Sequence, residues 1–231
     1  MRAGGRLGKY LEDALTLPLD ARASWRRDGL TGVWDEIASR TVYRVVRWSR
    51  SWLIVHTLDR ARATPPPAGV RIERFEGPDW GRLSPIAGRR RLALFARMAG
   101  AGRVCLVAWR DDVPVGYAWV SDRMAAEFEG YPLELPAGVA YLWALYVPPR
   151  ERNAGLGSAL ASARIRWARE HGFREGWRIV AQTNRASLRT VAKTAGEGTR
   201  IVGELRYLKL LAQGRTWLRP VRRGPDPILR A

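Results

Sequence analysis

The sequence predicts an α/β fold with a mixed sheet flanked by helices and preceded by a helical N-terminal extension. Beyond residue 70, short apolar runs typical of strands alternate with longer segments in which apolar residues recur every three or four positions. The 231 residues, 46% of them hydrophobic, suffice for one large domain with a substantial core. Because strands and helices alternate along the chain, a layered α/β domain is the expected arrangement.

Residues 1–63 are expected to form a mainly helical extension. In "TGVWDEIASRTVYRVVRWSRSW" at 31–52, tryptophans and aliphatic residues form one stripe and arginines another, which predicts a helix from about residue 32 with Thr31 as its cap. The next residues, "WLIVHTLD", are typical of a strand. Peripheral contact with an acidic membrane surface is one use of the stripe. Packing on the following domain is favoured, because most amphipathic helices face a core.

The prolines of "TPPPAG" at 64–69 predict a stiff linker, residues 70–220 the main domain, and residues 221–231 a loose tail. The segments expected in the domain are a strand over 69–76, a helical region over 78–100 broken near Pro85, two strands over 103–122 joined at "DDVP", a loop, a strand over 139–147, a helix over 156–170, a strand over 177–183, a helix over 184–196 and a hairpin over 200–220 that turns near Gly214.

The formal net charge of +18 is concentrated toward the C-terminus, where residues 141–231 carry 18 basic and 6 acidic side chains. Clustered positive charge favours an anionic partner. No stretch approaches the roughly 20 apolar residues that span a bilayer. The N-terminus lacks the apolar segment of a secretory signal, and Cys105 has no cysteine partner. We therefore expect a cytoplasmic protein with Cys105 in its core.

The stretch "LYVPPRERNAGLGSAL" at 145–160 joins an apolar strand to a helix through the spacing R-x-x-G-x-G. Glycines allow backbone N–H groups to approach a charged ligand, and a helix N-terminus adds unpaired N–H groups and partial positive charge. Such a turn suits a diphosphate, although a tight strand-to-helix connection explains the glycines equally well. A P-loop is excluded because the turn has no lysine, and a dinucleotide fingerprint fails because Leu160 stands where a small residue is needed.

This stretch, together with the strand "WRIVAQT" and the segment "NRASLRTVAK", resembles the GNAT superfamily of acyl-CoA-dependent N-acetyltransferases over about residues 70–218. The resemblance implies a mixed, mostly antiparallel sheet in which the two strands splay apart around the pantetheine arm of acetyl-CoA, with no metal. It implies backbone hydrogen bonds to that arm from Leu145, Tyr146 and Val147. It gives Asn184 a contact with pantetheine or a helix-capping role. It also places the pyrophosphate against Arg152, Asn153, Ala154, Gly155, Leu156, Gly157 and Ser158.

The catalytic residues depart from the family pattern. Val191 occupies the position at which many members carry a tyrosine acid, and Tyr141 the position of a glutamate base in some members. The acidic loop at 122–140 supplies substitutes, because a carboxylate can accept a proton from an amine directly or through water. The candidates are Glu127, Glu129, Glu134 and Tyr141. A solvated loop with no catalytic role is the alternative for the glutamates.

Two further placements follow from local patterns. Strand alternation is expected to put Tyr141, Trp143, Leu145 and Val147 on one face of the sheet. His171, in "REHGF", is expected to end a helix, and His56 to be a satisfied structural residue, since neither has metal-ligand neighbours in the sequence.

The leading hypothesis is a transferase that moves an acetyl group from acetyl-CoA to a primary amine of a small molecule or peptide by direct attack on the thioester. The positive C-terminal charge then matches the phosphates of coenzyme A, and nucleic acid is not the favoured partner. The alternative is a basic binding module that keeps the fold, has lost catalysis, and docks on nucleic acid or an acidic membrane. Val191 and the net charge of +18 favour the module, whereas the intact glycine spacing favours the enzyme.

Overall fold

Eight strands form one sheet in the computed structural model, which describes residues 46–124, 133–210 and 213–220 and six single positions between 25 and 37. The strands are β1 (Val46–Thr57), β2 (Val70–Phe75), β3 (Val104–Arg110), β4 (Val113–Ser121), β5 (Val139–Tyr146), β6 (Glu175–Ala181), β7 (Arg200–Leu210) and β8 (Gln213–Pro220). Their order across the sheet is β2-β3-β4-β5-β6-β1-β7-β8. Three α-helices are described: α1 (Arg89–Gly100), α2 (Leu156–Glu170) and α3 (Arg185–Thr194).

The helices cover both faces of this sheet. On one face, Phe95 and Met98 of α1 pack against Trp109 and Trp119 in a cluster that also buries Cys105. On the other face, apolar residues of α2 pack against the alternate residues of β3, β4 and β5. Helix α3 lies beside α2 and packs on β1, β6 and β7. The predicted mixed α/β sheet flanked by helices is confirmed.

All neighbouring strands are antiparallel except β5 and β6, which are parallel and are connected through α2. Their ladder has three pairs, the last joining Tyr141 to Trp177. Beyond it, β5 stays paired with β4 as far as Tyr146, and β6 stays paired with β1 as far as Ala181. Since each strand follows a different neighbour, the two strands diverge toward their C-terminal ends. We call this divergence the fork.

The predicted helix over 32–52 is wrong in its last part, because strand β1 begins at Val46. The segment "VVRWSRSWLIV" is rich in β-branched and aromatic residues and satisfies both helical and strand periodicity, so its pattern alone was ambiguous. Pairing with β6 on one side and β7 on the other decides the conformation. Trp34 and Trp48 are 63% and 54% exposed, so neither shows the favoured packing on the domain.

Strand β1 lies inside the sheet although the sequence assigned it to the extension. The division into an extension, a linker over 64–69 and a main domain therefore stays a prediction. Under that division, strand β1 belongs to the extension and forms part of the sheet of the main domain. The rest of the extension, apart from the six single positions, and the tail 221–231 lie outside the described residues. Within the part of the chain that is described, no helix has the length and apolar character needed to cross a membrane.

Two strand boundaries differ from the sequence prediction. Strand β6 runs from Glu175 to Ala181, two residues earlier than expected at each end. The hairpin turn lies between Leu210 and Gln213, because Gly214 is paired with Lys209 inside the ladder. Strand ends follow their partners' register, which a single sequence does not contain.

We predict that Gly196→Ala destabilises the joint between α3 and the segment after β1. A Cβ at residue 196 would lie 1.5 Å from the carbonyl oxygen of Arg60, a backbone atom that no rotamer change can move. The free energy of unfolding should fall by about 1–3 kcal/mol in urea denaturation. Gly100→Ala is the control, since nothing lies within 4 Å of its Cβ position at the end of α1. Equal stability of the two variants would contradict the contact.

Candidate functional site

Strand β5 contains a bulge at Ala144, whose φ of 43° lies in the left-handed region. Opposite it on β4, Trp119 pairs with Trp143 and Tyr117 pairs with Tyr146, so three steps on β5 match two on β4. An extra residue of this kind reverses the alternation that follows it. The predicted common face is therefore correct for Tyr141 and Trp143, whose rings stack at 5.9 Å.

For the end of the strand the prediction is wrong. Leu145 and Val147 pack with the α2 cluster, on the opposite face from Trp143. Tyr146 instead lies on the same face as Trp143, where strict alternation would not place it, and its ring stacks on that of Tyr117 at 5.4 Å. The bulge thus turns the last residues of β5 toward the space between α2 and α3.

A cleft of about 460 Å³ opens at the fork. Its walls are the end of β5, the loop and first turn of α2, the middle of β6 and one side of α3. The lining residues are Leu145, Tyr146, Val147, Arg152, Asn153, Gly155, Gly157, Ser158, Arg178, Asn184, Ala186, Ser187, Arg189, Thr190 and Lys193. Arginine and lysine supply every charge among these residues, so the cleft is strongly positive.

The loop before α2 is shaped for close approach to an anion. Asn153 and Gly155 have φ values of 66° and 80°, and Gly155 is the residue that precedes the helix. Arg152 Nε donates to the Val147 carbonyl oxygen at 3.0 Å, which holds the loop against the end of β5. The first N–H groups of a helix have no intrahelical acceptor and carry partial positive charge. The turn and the helix start therefore present unpaired N–H groups and partial positive charge at the cleft.

Helix α3 supplies the opposite wall. Asn184 Oδ1 accepts a hydrogen bond from the backbone N–H of Ser187 at 3.0 Å, so Asn184 caps the helix. Helix capping is one of the two roles that the family resemblance implies for this residue. Its contact with pantetheine stays a prediction. Arg189 and Lys193 lie four residues apart and both line the cleft, which places two exposed cations along this wall.

Nine of the eleven residues implied to hold the coenzyme line this one cleft. Leu156 instead points into the core, where it packs with Val147 and Leu160 and is 1% exposed. Ala154 is exposed beside the cleft. These two positions offer a ligand at most their backbone groups.

The two catalytic candidates that the structure describes, Tyr141 and Glu134, do not line the cleft. Tyr141 is buried on the α1 side of the sheet against Trp143, and Glu134 is exposed in the segment before β5. Glu127 and Glu129 lie outside the described residues. Their catalytic roles stay predictions.

Arg178 is a cleft residue that the sequence reasoning missed. It lies in an apolar strand pattern and is 3% exposed, yet it forms part of the cleft floor. The feature of the sequence that could have identified Arg178 is a charged residue at an inward-facing strand position, because a buried charge is costly unless it interacts with another group. Arg189 and Lys193 had a clearer signal, because the segment "NRASLRTVAK" spaces its basic residues by four.

Both histidines have the structural roles expected. His171 ends α2, and its Nδ1 lies 2.8 Å from the Trp167 carbonyl oxygen. His56 is fully buried, with its Nδ1 3.2 Å from Thr199 Oγ1. Burial, with Arg178 and Arg164 nearby, holds the pKa of His56 well below its ordinary value. No group of three potential metal ligands occurs among the residues the structure describes.

The sequence profile of the Acetyltransferase (GNAT) family matches residues 70–196, which is more than half of the chain. The chain therefore belongs to this family and is a GNAT-type acetyltransferase. The family uses acetyl-CoA, and the matched residues include the glycine loop at 152–158 and both strands of the fork, β5 and β6. No curated protein matches the sequence.

Solved structures share the fold at low sequence identity. A Drosophila protein superposes with a TM-score of 0.54 and 16% identity over 80% of this chain and 68% of its own. For a tandem GNAT protein from the clavulanic acid biosynthesis pathway, the TM-score is 0.51 and the sequence identity 19%, over 75% of this chain and 55% of the other. For a glucosamine N-acetyltransferase region of a fungal multi-domain β-N-acetylglucosaminidase, the TM-score is 0.52 and the sequence identity 11%, over 78% of this chain and 22% of the other. At these identities the similarity shows the fold alone.

We predict that Asn184→Ala lowers the free energy of unfolding by about 0.5–2 kcal/mol, because it removes the acceptor that caps α3. Asn184→Ser should retain most of the stability, since serine is also a good cap. Ser187→Ala is the matched control, because it leaves the donating backbone N–H in place. Thermal or urea unfolding of the ligand-free proteins measures all three, and a fully stable Asn184→Ala would show that the cap contributes nothing.

Proposed function

We propose that this protein transfers an acetyl group from acetyl-CoA to a primary amine of a small molecule or peptide. The observation that carries the proposal is the basic cleft at the fork, which is lined by the glycine loop and the start of α2. Coenzyme A combines a polyanionic end with a long neutral arm. The cleft has the matching distribution, with exposed cations at its mouth and strand backbone along its depth.

The residues present fit such a ligand. Residues 145–147 follow the bulge and are not paired with β6. The backbone groups on that side, apart from the Val147 carbonyl oxygen that accepts from Arg152, are available to the amides of the pantetheine arm. The loop over 152–158 offers N–H groups and Arg152 to the diphosphate. Arg189 and Lys193 add positive charge on the α3 wall. This arrangement directs the thioester end toward the fork.

The transfer is a direct attack on the thioester. The lone pair of the neutral amine forms the C–N bond, the C–S bond breaks, and the sulfur keeps the bonding electron pair. The nitrogen loses one proton to a base or to water. The groups proposed to accept that proton are Glu127, Glu129 and Glu134 of the acidic loop and Tyr141. Val191 has a hydrocarbon side chain with no ionisable proton, so it contributes no acid for the sulfur, and it is fully buried among apolar residues.

The alternative proposal is a basic module without catalysis, favoured by the net charge of +18 and by Val191. Under either proposal a cytoplasmic location is expected, and peripheral membrane contact through the N-terminal segment is compatible with both. A module without catalysis has no need of a cleft that matches coenzyme A, and we therefore favour the enzyme.

We predict that coenzyme A raises the thermal unfolding midpoint of the protein, because a ligand at a hundred times its dissociation constant adds about 2.7 kcal/mol. Incubation with acetyl-CoA and a panel of primary amines should then release free thiol. Binding without thiol release from any amine would favour the non-catalytic module. An unchanged midpoint at saturating coenzyme A would overturn the assignment of the cleft.

We also predict that Gly157→Val leaves the protein folded but strongly weakens coenzyme A binding. The Cβ position of residue 157 lies 3.7 Å from Thr190 Oγ1, so a side chain is tolerated there but narrows the gap between α2 and α3. Gly157→Ala should have a smaller effect in calorimetric titration. Gly100→Val, at an open position far from the cleft in α1, is the control for a valine in a helix. Unchanged affinity in Gly157→Val would make the glycine purely structural.

A further inference from the structure

Two buried arginines lie together beneath the cleft. Arg164 of α2 is 1% exposed and Arg178 of β6 is 3% exposed. Arg164 Nη1 donates to the Trp143 carbonyl oxygen at 2.8 Å, at the point where β5 leaves β6, and its Nε is buried without a hydrogen-bond partner. The two guanidinium groups lie close enough for Arg178 to lower the pKa of Arg164, after the larger effect of burial.

Neither arginine forms an ion pair within the described part of the chain. The partner of Arg178 is His56, whose Nε2 lies 3.5 Å from its Nη1. Since a guanidinium only donates hydrogen bonds, Nε2 accepts and Nδ1 carries the proton toward Thr199 Oγ1. His56 is therefore neutral and cannot balance the charge. Burial lowers the pKa of Arg178 to about 10, so Arg178 is still charged at neutral pH.

Buried charge without a counter-ion is expensive, and removing the charge often stabilises a protein. Arg178 is the one member of this pair that also lines the cleft. It is the residue that directly follows Trp177, the last residue of β6 paired with β5. Arg178 therefore brings a buried positive charge to the wall of the cleft.

We propose that Arg178, supported by Arg164 and His56, binds the sulfur of coenzyme A as its thiolate. The inference rests on the proposed function, in which the pantetheine arm runs from the loop to the fork. That arm is neutral, and the sulfur is the group at its end that becomes negative when the acyl group leaves. The C–S bond breaks with both electrons on sulfur, the guanidinium stabilises that charge, and the proton from the amine leaves by another route. No acid is then required at Val191.

This arrangement makes thiolate binding depend on pH. An opposite charge within about 4–6 Å lowers the pKa of an acidic group by about 1–3 units, which corresponds to roughly 10- to 1,000-fold tighter binding of the thiolate than of the thiol. The titratable and charged groups around the site are His56 from β1, Tyr141 from β5, Arg164 from α2, Arg178 from β6, Arg189 and Lys193 from α3, and Arg152 from the loop.

The test compares coenzyme A with its analogue that lacks the sulfur, dethio-coenzyme A, by calorimetric titration of the wild-type protein between pH 6 and pH 10. The affinity for coenzyme A divided by the affinity for dethio-coenzyme A should be constant at low pH and should increase 10-fold or more as the pH is raised. The increase begins at the pKa of the bound thiol and ends at the pKa of the free thiol, because the bound thiol has the lower pKa. The ultraviolet absorbance of the thiolate gives the bound pKa independently.

Three variants locate the charge. Arg178→Met should abolish the rise while still binding dethio-coenzyme A, and Arg178→Lys should keep part of it. Arg189→Met removes the same charge from the exposed wall of the cleft, so it should weaken both ligands and leave the rise intact. If Arg178→Met fails to fold, the wild-type comparison still decides.

The outcomes separate this inference from the proposed function. If coenzyme A binds but the affinity ratio does not change with pH, the thiolate site is wrong and the acetyltransferase proposal stands. A preference for an acyl-CoA with a terminal carboxylate, with no such rise, also overturns the inference and assigns the charge to the acyl group. If neither coenzyme A nor its analogue binds, both proposals fail.

Discussion

The divergence of β5 from β6 is the constraint on which the rest of the site depends. Parallel strands normally continue their ladder to the ends of both strands, and here the ladder stops at Tyr141 and Trp177 because each strand follows its outer neighbour. The bulge at Ala144 and the hydrogen bond from Arg164 to the Trp143 carbonyl maintain the separation. Backbone groups that would have been used within the sheet are thereby left for a ligand.

The positive charge of the chain acts at two depths. The exposed cations on the loop and on α3 are screened by salt and water, so they attract an anionic ligand without greatly strengthening its binding. Arg178 is only 3% exposed, and a charge removed from water in this way interacts much more strongly with a neighbouring charge. The outer charges suit groups that are always ionised, such as phosphates. The inner charge suits a group whose charge appears during the reaction.

Several elements were predictable because their signals are local. The helix over 156–170 has a clear apolar stripe and a glycine at each end, and the structure has the same bounds. The cap at Asn184 follows from the preference of asparagine for the position before a helix. The glycine loop likewise owes its shape to residues within it. Residues of this loop and Asn184 line the same cleft.

The sequence determined the helices, most strands and the glycine loop, because capping, periodicity and turn chemistry act over a few residues. Tertiary structure alone decided that residues 46–52 form a strand, that Leu145 and Val147 turn away from Trp143, and that Arg164 and Arg178 meet. Each depends on contacts between residues far apart in the chain. Sheet register and burial arise only when the strands pair, and a single sequence does not state which strands will be neighbours.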